Sequence, residues 1–290
     1  MWPHRRWSPA RAISVLCYGV SLNKLCRHAA RRSTRGGYHR SRDADVGGRV
    51  QGFFALAAED VDMPSALFVV SEHGYWGEEC IEPLGTLTEA GVEVTVATPT
   101  GDPPVVDERS VDPDEVGEDT AARVREADET DERLNDPVSI TEPRADDYDA
   151  VVFPGGHGTV WDVNQDRHAR TLLREAVAGD EGVALVVCHA VGILAFTRDG
   201  DGGFLVDGRA VTGFPNEWEE GIVDEDDRLP DGRKLPYWVE DEVRAAGGEW
   251  DADLDAETSV TVDGALVTAR GPPSSGAAAR TLLGELDGES

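Results

Sequence analysis

Three short apolar runs constrain the fold of this chain more than any other feature. They are Ala66–Val70, Ala150–Phe153, which Asp149 precedes, and Val183–Val187. Runs this short without polar alternation are typical of strands that are buried on both faces, as in a parallel sheet. Segments with helical periodicity separate them, including Gly77–Ala90 and Arg167–Ala178. The alternation predicts an α/β fold with helices on both faces of an open, mostly parallel sheet.

Weaker signals add the remaining elements. Gly91 is expected to end the helix before it in a left-handed conformation, which glycine adopts without steric cost. An Asp-Gly pair inside Val260–Thr268 predicts a hairpin. The other predicted elements are strands at Val92–Ala97 and Ala210–Phe214, a short acidic helix from Asn216, and helices at Leu235–Ala246 and Gly276–Leu286, the last capped by Ser274 or Ser275.

Composition divides the chain into a basic N-terminal segment and an acidic body. Residues 1–50 hold 11 of the 27 Lys and Arg residues and two acids, which leaves 16 basic and 55 acidic residues, a net charge of −39, beyond them. Met63 directly precedes the first strand, so we expect a folded domain over 63–290 and a disordered or mis-started segment over 1–62. A twin-arginine export signal at Arg5-Arg6 and a basic nucleic-acid-binding arm are the alternatives.

The acidic body limits the partners of the chain. Only Lys24 and Lys234 are lysines, and this composition resembles proteins of salt-loving organisms, whose concentrated salt screens self-repulsion. It disfavours nucleic acid as a partner. No apolar run reaches the ~18 residues of a membrane span, so we expect no membrane and a cytoplasmic location. Residues 103–147 are dense in acids and predict a surface insertion outside the sheet, with a short helix near Thr120–Ala127.

Cys188 is the residue with the most chemical promise. It directly follows the run Val183–Val187 and precedes a small-residue segment that predicts the start of a helix. At such a turn a side chain projects toward a helix N-terminus, where unpaired N–H groups favour an anion such as a thiolate. A buried structural cysteine is the alternative. The adjacent His189 favours a nucleophile.

Other candidates also follow predicted strands, and the carboxyl ends of parallel strands meet at one edge of a sheet. Glu79 can bond a thiol or act as a general acid or base, although an ordinary acid at a helix N-terminus would look the same. The amides of Gly155 and Gly156, together with that of His189, can face a developing oxyanion. Tight turning alone would also explain these glycines.

Histidine chemistry needs a carboxylate partner. His189 can serve as the base for Cys188 if a carboxylate holds its ring, and the acidic run Glu217, Glu219 and Glu220 offers one. A solvated acidic helix is the alternative interpretation of that run.

His73 and His157 are possible metal ligands, but neither belongs to a motif with metal-ligand spacing, so we predict no metal.

The motifs together resemble the ThiJ/PfpI superfamily, and within it the heat-shock, glutathione-independent glyoxalase III branch. They are Phe153-Pro154-Gly155-Gly156-His157-Gly158-Thr159, Val187-Cys188-His189, and Val211-Thr212-Gly213-Phe214 with its downstream glutamates. The resemblance covers about Pro64–Leu286. It implies a flavodoxin-like fold, similar to class I glutamine amidotransferases, that is commonly dimeric and needs no organic cofactor. We therefore expect a homodimer and no cofactor.

The resemblance also implies roles for individual residues. Cys188 matches the nucleophile, His189 its partner, and Glu79 the carboxyl group that contacts the thiol. Glu219 aligns best with the third triad residue, with Glu217 and Glu220 as alternatives. The family's oxyanion hole maps to the backbone of Gly156 and His189, and we assign Gly155, Gly156 and His157 to oxyanion or substrate binding.

The implied reaction is the conversion of a small 2-oxoaldehyde such as methylglyoxal to lactate, with a possible protein deglycase or chaperone role. Two departures leave the substrate open. Ala190-Val191 replaces the family's usual Gly-Pro after Cys-His, and Ala269-Arg270-Gly271-Pro272-Pro273-Ser274-Ser275 replaces a Gly-Gln-Asn-Pro-Ala-Ser-Ser motif. A cysteine-dependent amidase, peptidase or amidotransferase-like hydrolase is the alternative, since the same nucleophile and oxyanion hole would serve acyl transfer.

Overall fold

A computed structural model describes residues 63–179, 182–223, 229 and 232–288. The predictions made for residues 1–62 lie outside the described residues. The strands, in chain order, are β1 Ser65–Val69, β2 Glu93–Thr98, β3 Val138–Ser139, β4 Ala150–Phe153, β5 Val183–Val187, β6 Ala210–Val211, β7 Glu249–Trp250, β8 Val260–Asp263 and β9 Leu266–Ala269. The α-helices are α1 Gly77–Glu89, α2 Pro113–Val116, α3 Glu118–Thr130, α4 Glu132–Asn135, α5 Arg167–Ala178, α6 Ile193–Phe196, α7 Asn216–Val223, α8 Val239–Ala245 and α9 Ser275–Asp287.

Seven of the strands form one sheet in the order β3-β2-β1-β4-β5-β9-β8. Neighbouring strands run parallel except β8, which pairs antiparallel with β9 through the predicted Asp-Gly hairpin. Alternate residues of a strand face opposite sides. Leu67 and Val69 of β1 pack with Leu173 of α5, whereas Phe68 packs with Leu282 of α9. Helices therefore cover both faces, and the predicted α/β class is confirmed.

Several local predictions are also confirmed. α5 spans Arg167–Ala178 as expected, and the Asp166 carboxylate caps it by accepting from the amides of His168 and Ala169 at 2.6 and 2.9 Å. Gly91 has φ of +82° after α1. No helix among the described residues is both long and apolar enough to cross a membrane.

The acidic stretch 103–147 was predicted to lie outside the sheet, and this prediction is wrong in part. Its strand β3 pairs parallel with β2 and forms one edge of the sheet. The helix expected at Thr120–Ala127 is longer, since α3 spans Glu118–Thr130. Ala121 and Val124 on one face of α3 are buried. A few apolar residues, two on α3 and Leu134 on α4, anchor this segment, and the surrounding acids obscure them in a composition profile.

Two other predictions fail because of contacts with distant segments. The strand expected at Ala210–Phe214 is only β6, which pairs with β7 in a separate two-stranded sheet. Ser274 precedes α9, but its hydroxyl accepts from the Ser259 amide at 3.0 Å and does not cap the helix. In both places a contact with a distant segment replaces the local interaction that the sequence predicts.

Candidate active site

Cys188 lies at a strained turn directly after β5. Its φ is 57°, a left-handed conformation that residues other than glycine rarely adopt. A 3₁₀ turn, Cys188–Gly192, follows and leads into α6. Gly155 makes room beside it, because a Cβ there would lie 2.6 Å from the Cys188 Cβ and would also contact Glu79 Oε2. The turn thus holds the sulfur against the loop after β4, as the predicted elbow requires.

Cys188, His189 and Glu219 form a continuous hydrogen-bonded chain. The Cys188 Sγ lies 3.2 Å from His189 Nδ1, and His189 Nε2 lies 2.7 Å from Glu219 Oε2. All three side chains are buried. Glu217 and Glu220 are exposed on the same helix, α7. The geometry therefore brings Glu219, and neither register alternative, to the histidine.

Glu219 is held as a carboxylate. Burial raises its pKa, but the electrostatic interaction with His189 and the hydrogen bonds from both His157 and His189 outweigh burial and lower the pKa well below the usual range. The second oxygen, Oε1, lies 3.0 Å from His157 Nε2. One buried carboxylate therefore serves two imidazole rings.

His157 lies behind this carboxylate. Its Nε2 faces Glu219 and its Nδ1 lies 2.8 Å from Arg109 Nη2. Burial and the neighbouring His189 and Arg109 lower the pKa of His157 to about 4, although Glu219 acts in the opposite direction. His157 was predicted to bind oxyanion or substrate, but its two ring nitrogens contact Glu219 and Arg109. The ring is therefore neutral at neutral pH and supports Glu219.

Glu79 lies beside the sulfur on the first turn of α1. It is fully buried, and burial raises its pKa to about 8, although hydrogen bonding with the Cys188 thiol and the Gly155 amide lowers it. The contact between Glu79 and the thiol is weak, because the distance and angle from either carboxyl oxygen to its neighbours do not make a full hydrogen bond. At neutral pH Glu79 is therefore a carboxylic acid with a proton available next to Cys188.

The sulfur itself rests as a thiol. Burial raises the pKa of Cys188, and a charge on Glu79 would raise it further, whereas the backbone N–H groups of His189 and Gly156 face the sulfur and lower it. Burial opposes the thiolate that a helix N-terminus was expected to favour, because the sulfur is only 3% exposed and a 3₁₀ turn, not a long α-helix, begins at Cys188. The two N–H groups are those assigned to the oxyanion hole.

Sequence reasoning missed several residues that shape the site. The Phe214 ring stacks on the His189 ring with centroids 4.3 Å apart, and Asn164 Nδ2 donates to the His189 carbonyl at 2.9 Å. Arg109 comes from the acidic stretch and has no motif of its own. A Cβ on Gly271 would lie 3.9 Å from the Cys188 sulfur, so the divergent loop after β9 borders the site.

The nitrogen and oxygen atoms of His157, His189 and Glu219 lie within 4.8 Å of one another. These atoms already hydrogen bond among themselves, so a metal ion would have to replace the bonds that hold His189. The expectation of no metal stays a prediction.

Comparisons with known proteins relate this chain to one family. Residues 64–285 match the sequence model of the DJ-1/PfpI family. The glutathione-independent glyoxalase HSP31 of Saccharomyces cerevisiae is 29% identical over 205 residues, which is 69% of this chain and 84% of the yeast protein. The protein/nucleic acid deglycase HchA of Staphylococcus aureus is 25% identical over 209 residues, 72% of this chain and 70% of that protein.

A solved structure is similar over most of its length. The structure of glyoxalase III from Candida albicans has a TM-score of 0.63 at 21% identity, covering 77% of this chain and 97% of that one. The predicted ThiJ/PfpI resemblance is confirmed, and the relation to HSP31-type glyoxalases is a distant one. The chain belongs to the DJ-1/PfpI family.

Proposed function

We propose that this protein is a cofactor-independent glyoxalase that converts methylglyoxal, or a similar 2-oxoaldehyde, to lactate or the matching 2-hydroxy acid. The observation that carries the proposal is the protonated, fully buried Glu79 beside a thiol that His189 can deprotonate. Turning an aldehyde and its neighbouring ketone into a hydroxy acid needs a nucleophile and also an acid–base pair that moves protons between adjacent carbons. The relation to a yeast glutathione-independent glyoxalase supports the same reaction.

The first step forms a carbon–sulfur bond. Cys188 Sγ attacks the aldehyde carbon while its proton passes to His189 Nδ1, and Glu219 stabilises the resulting imidazolium. The developing oxyanion accepts hydrogen bonds from the backbone N–H groups of Gly156 and His189, which already face the sulfur. The imidazolium then returns the proton to this oxygen, which gives a hemithioacetal and a neutral His189.

The second step moves hydrogen between the two carbons. Neutral His189 removes the former aldehyde hydrogen as a proton while Glu79 protonates the ketone oxygen, and an enediol forms. His189 then protonates the second carbon, and the first hydroxyl returns its proton to Glu79, which leaves a thioester. The first carbon is oxidised and its neighbour is reduced. Electrons therefore balance within the substrate.

Hydrolysis completes the cycle. Water, deprotonated by His189, adds to the thioester carbon, and the carbon–sulfur bond breaks as the proton returns to the sulfur. One methylglyoxal and one water give one lactic acid. A glycated protein or nucleic acid, the substrate class in the name of the staphylococcal deglycase, would give the same hemithioacetal if Cys188 Sγ displaces its amine, with the C–N bond breaking as the thiol proton passes through His189 to the departing nitrogen.

The decisive experiment measures methylglyoxal consumption and lactate formation in glutathione-free, high-salt buffer. We expect wild type to form lactate, Cys188→Ala to form none, and Glu79→Gln to lose most activity. Cys80→Ala is the matched control, because Cys80 is the other buried free cysteine in the described part of the chain. In deuterated water, lactate should carry deuterium at its second carbon, since His189 exchanges with solvent between the two proton transfers.

The alternative functions give different results in the same preparations. Folded wild type that leaves methylglyoxal untouched rules the proposal out. Ammonia or peptide release that depends on Cys188 would identify a hydrolase instead. Suppression of aggregation that persists in Cys188→Ala would indicate a chaperone, whose binding does not use the thiol.

A further inference from the structure

A second layer of charged residues lies behind the proposed catalytic residues. Arg109 Nη2 lies 2.8 Å from His157 Nδ1. The same guanidinium pairs with Asp107 through two bonds, Nε to Oδ1 at 3.0 Å and Nη2 to Oδ2 at 2.6 Å. It also lies 5.5 Å from the centroid of the Trp76 ring. Asp107 is buried and the Arg109 side chain is 14% exposed, so the acidic stretch delivers a largely buried, ion-paired cation to the site.

We propose that Arg109 is a positioning residue that fixes the ring proton of His157 on Nε2, so that His157 stays a neutral donor to Glu219 and leaves the charge of that carboxylate to His189 and the Cys188 thiol. The inference rests on the proposed function only in taking Cys188 as the nucleophile. Arg109 acts through His157, and it does not contact the hydrogen-bonded chain of Cys188, His189 and Glu219 directly.

The direction of the bonds follows from donor chemistry. An arginine side chain has N–H donors and no acceptor, and it keeps its charge. His157 Nδ1 must therefore accept from Arg109, so the ring proton is on Nε2 and is donated to Glu219 Oε1 at 3.0 Å.

The same logic continues to the sulfur. Glu219 accepts on both oxygens, so His189 donates through Nε2 at 2.7 Å and keeps an unprotonated Nδ1. That nitrogen lies 3.2 Å from the Cys188 Sγ. The His189 tautomer that Glu219 holds thus presents a lone pair to the thiol, as deprotonation of the thiol requires.

Loss of Arg109 would free His157 to take a proton. The charged and titratable groups around His157 are Glu219 on α7, His189 after β5, and Arg109 with its partner Asp107 in the acidic stretch. Burial, His189 and Arg109 lower the pKa of His157, and Glu219 raises it. A cationic His157, with its ring centroid 3.9 Å from that of His189, would compete for Glu219 and oppose charge on His189.

The chain contains its own matched control. The triplet Asp107-Glu108-Arg109 recurs as Asp131-Glu132-Arg133. Arg133 repeats the local pairing, with Nε 2.9 Å from Asp131 Oδ1 and Nη2 2.6 Å from Oδ2, but its Nη1 bonds the Thr88 hydroxyl at 2.8 Å in place of a histidine. Arg133→Met therefore removes the same type of ion pair and leaves the histidine network untouched.

The direct test is nitrogen NMR of the full-length protein with ¹⁵N-labelled histidine, assigned with His157→Gln and His189→Gln. In wild type at pH 7 we expect His157 to be neutral with its proton on Nε2. In Arg109→Met it should gain its second proton at a higher pH than in wild type, because His157 Nδ1 no longer faces a donor, whereas Arg133→Met should match wild type. No turnover is needed, so the result is independent of the proposed reaction.

A cationic or Nδ1-protonated His157 in wild type would overturn the inference, and so would an Arg109→Met titration that superposes on that of wild type. If Arg109→Met does not fold, the wild-type tautomer decides alone.

A second readout follows the thiol. The rate of Cys188 alkylation by iodoacetamide, measured by mass spectrometry against pH, should fall roughly tenfold in Arg109→Met, a part of the roughly 10²–10⁴-fold that general-base catalysis contributes. Any glyoxalase activity should lose kcat by a similar factor with KM nearly unchanged. Wild-type alkylation rates in Arg109→Met would contradict the inference even if methylglyoxal proves not to be a substrate.

Discussion

His157 and His189 share one carboxylate. Their ring centroids lie 3.9 Å apart, and each Nε2 bonds a different oxygen of Glu219, at 3.0 and 2.7 Å. Two buried imidazolium ions so close together would repel strongly, so the pair holds no more than one extra proton near neutral pH. Arg109 disfavours that proton on His157, which leaves His189 as the ring that exchanges a proton with Cys188.

The protonated Glu79 beside the sulfur predicts that activity falls at alkaline pH. Glu79 must be protonated to serve as the acid of the enediol step, and burial raises its pKa to about 8. We expect kcat/KM for methylglyoxal to fall as pH rises through about 8, tenfold per unit at most. A pH–rate profile from pH 6 to 10 measures this. A rate that stays level up to pH 10 would rule out Glu79 as the acid.

The same burial makes Glu79 costly for stability. Its folded pKa of about 8 lies above its unfolded value of 4.5, so the folded state binds the proton more tightly and loses stability as pH rises from about 4.5 to 8. Glu79→Gln should therefore raise the free energy of unfolding at pH 8, on the order of 1–3 kcal/mol, while it lowers activity. Urea unfolding at pH 5 and pH 8 tests this, and the gain should be smaller at pH 5.

Glu89→Gln is the control for that measurement, since Glu89 is exposed at the end of the same helix. It should change stability little at either pH. An equal gain from both variants would mean that a reduction in net negative charge, and not the burial of Glu79, explains the effect.

Elements whose signals are local could be predicted from the sequence. β5 and α5 have the predicted bounds because a continuous apolar run and an Asp-capped amphipathic segment each act over few residues. β3 could not be found, because two residues at a sheet edge carry no periodic pattern. Its place depends on pairing with β2.

Some residues of the candidate active site could likewise be predicted from the sequence, and others depend on packing between distant segments. Cys188 and His189 directly follow β5, and Glu79 lies at the start of the helix that follows β1, so their convergence could be expected from topology. The choice of Glu219 over its neighbours depends on which face of α7 packs inward. Arg109 reaches His157 across 48 positions of sequence, and no local pattern records such a contact.

The left-handed turn at Cys188 predicts an unusual order of stability. Glycine relieves the strain of φ near 57°, so Cys188→Gly should be more stable than Cys188→Ala by about 1 kcal/mol. Thermal unfolding of both variants measures the difference. The buried Cys80 lies inside α1, where glycine costs about 1 kcal/mol relative to alanine, so Cys80→Gly should be less stable than Cys80→Ala. The same order at both positions would mean that Cys188 is not strained.

A matched pair of glycines tests how tightly the catalytic groups are packed. A Cβ at Gly155 would lie 2.6 Å from the Cys188 Cβ and 2.6 Å from the Val187 carbonyl oxygen, and it would also contact Glu79 Oε2. A Cβ at Gly85 would meet no atom within 4 Å. Gly155→Ala should therefore separate Glu79 from the thiol, lower kcat at least about tenfold and destabilise the fold by about 1–3 kcal/mol.

Gly85→Ala should instead stabilise the protein by about 0.5–1 kcal/mol with unchanged kinetics, because Gly85 lies inside α1, where alanine is the better helix former. Circular dichroism melts and methylglyoxal kinetics on the two variants give both quantities. Full activity in Gly155→Ala would show that the reaction tolerates a displaced Glu79, and the proton relay through this carboxyl group would then have to be abandoned.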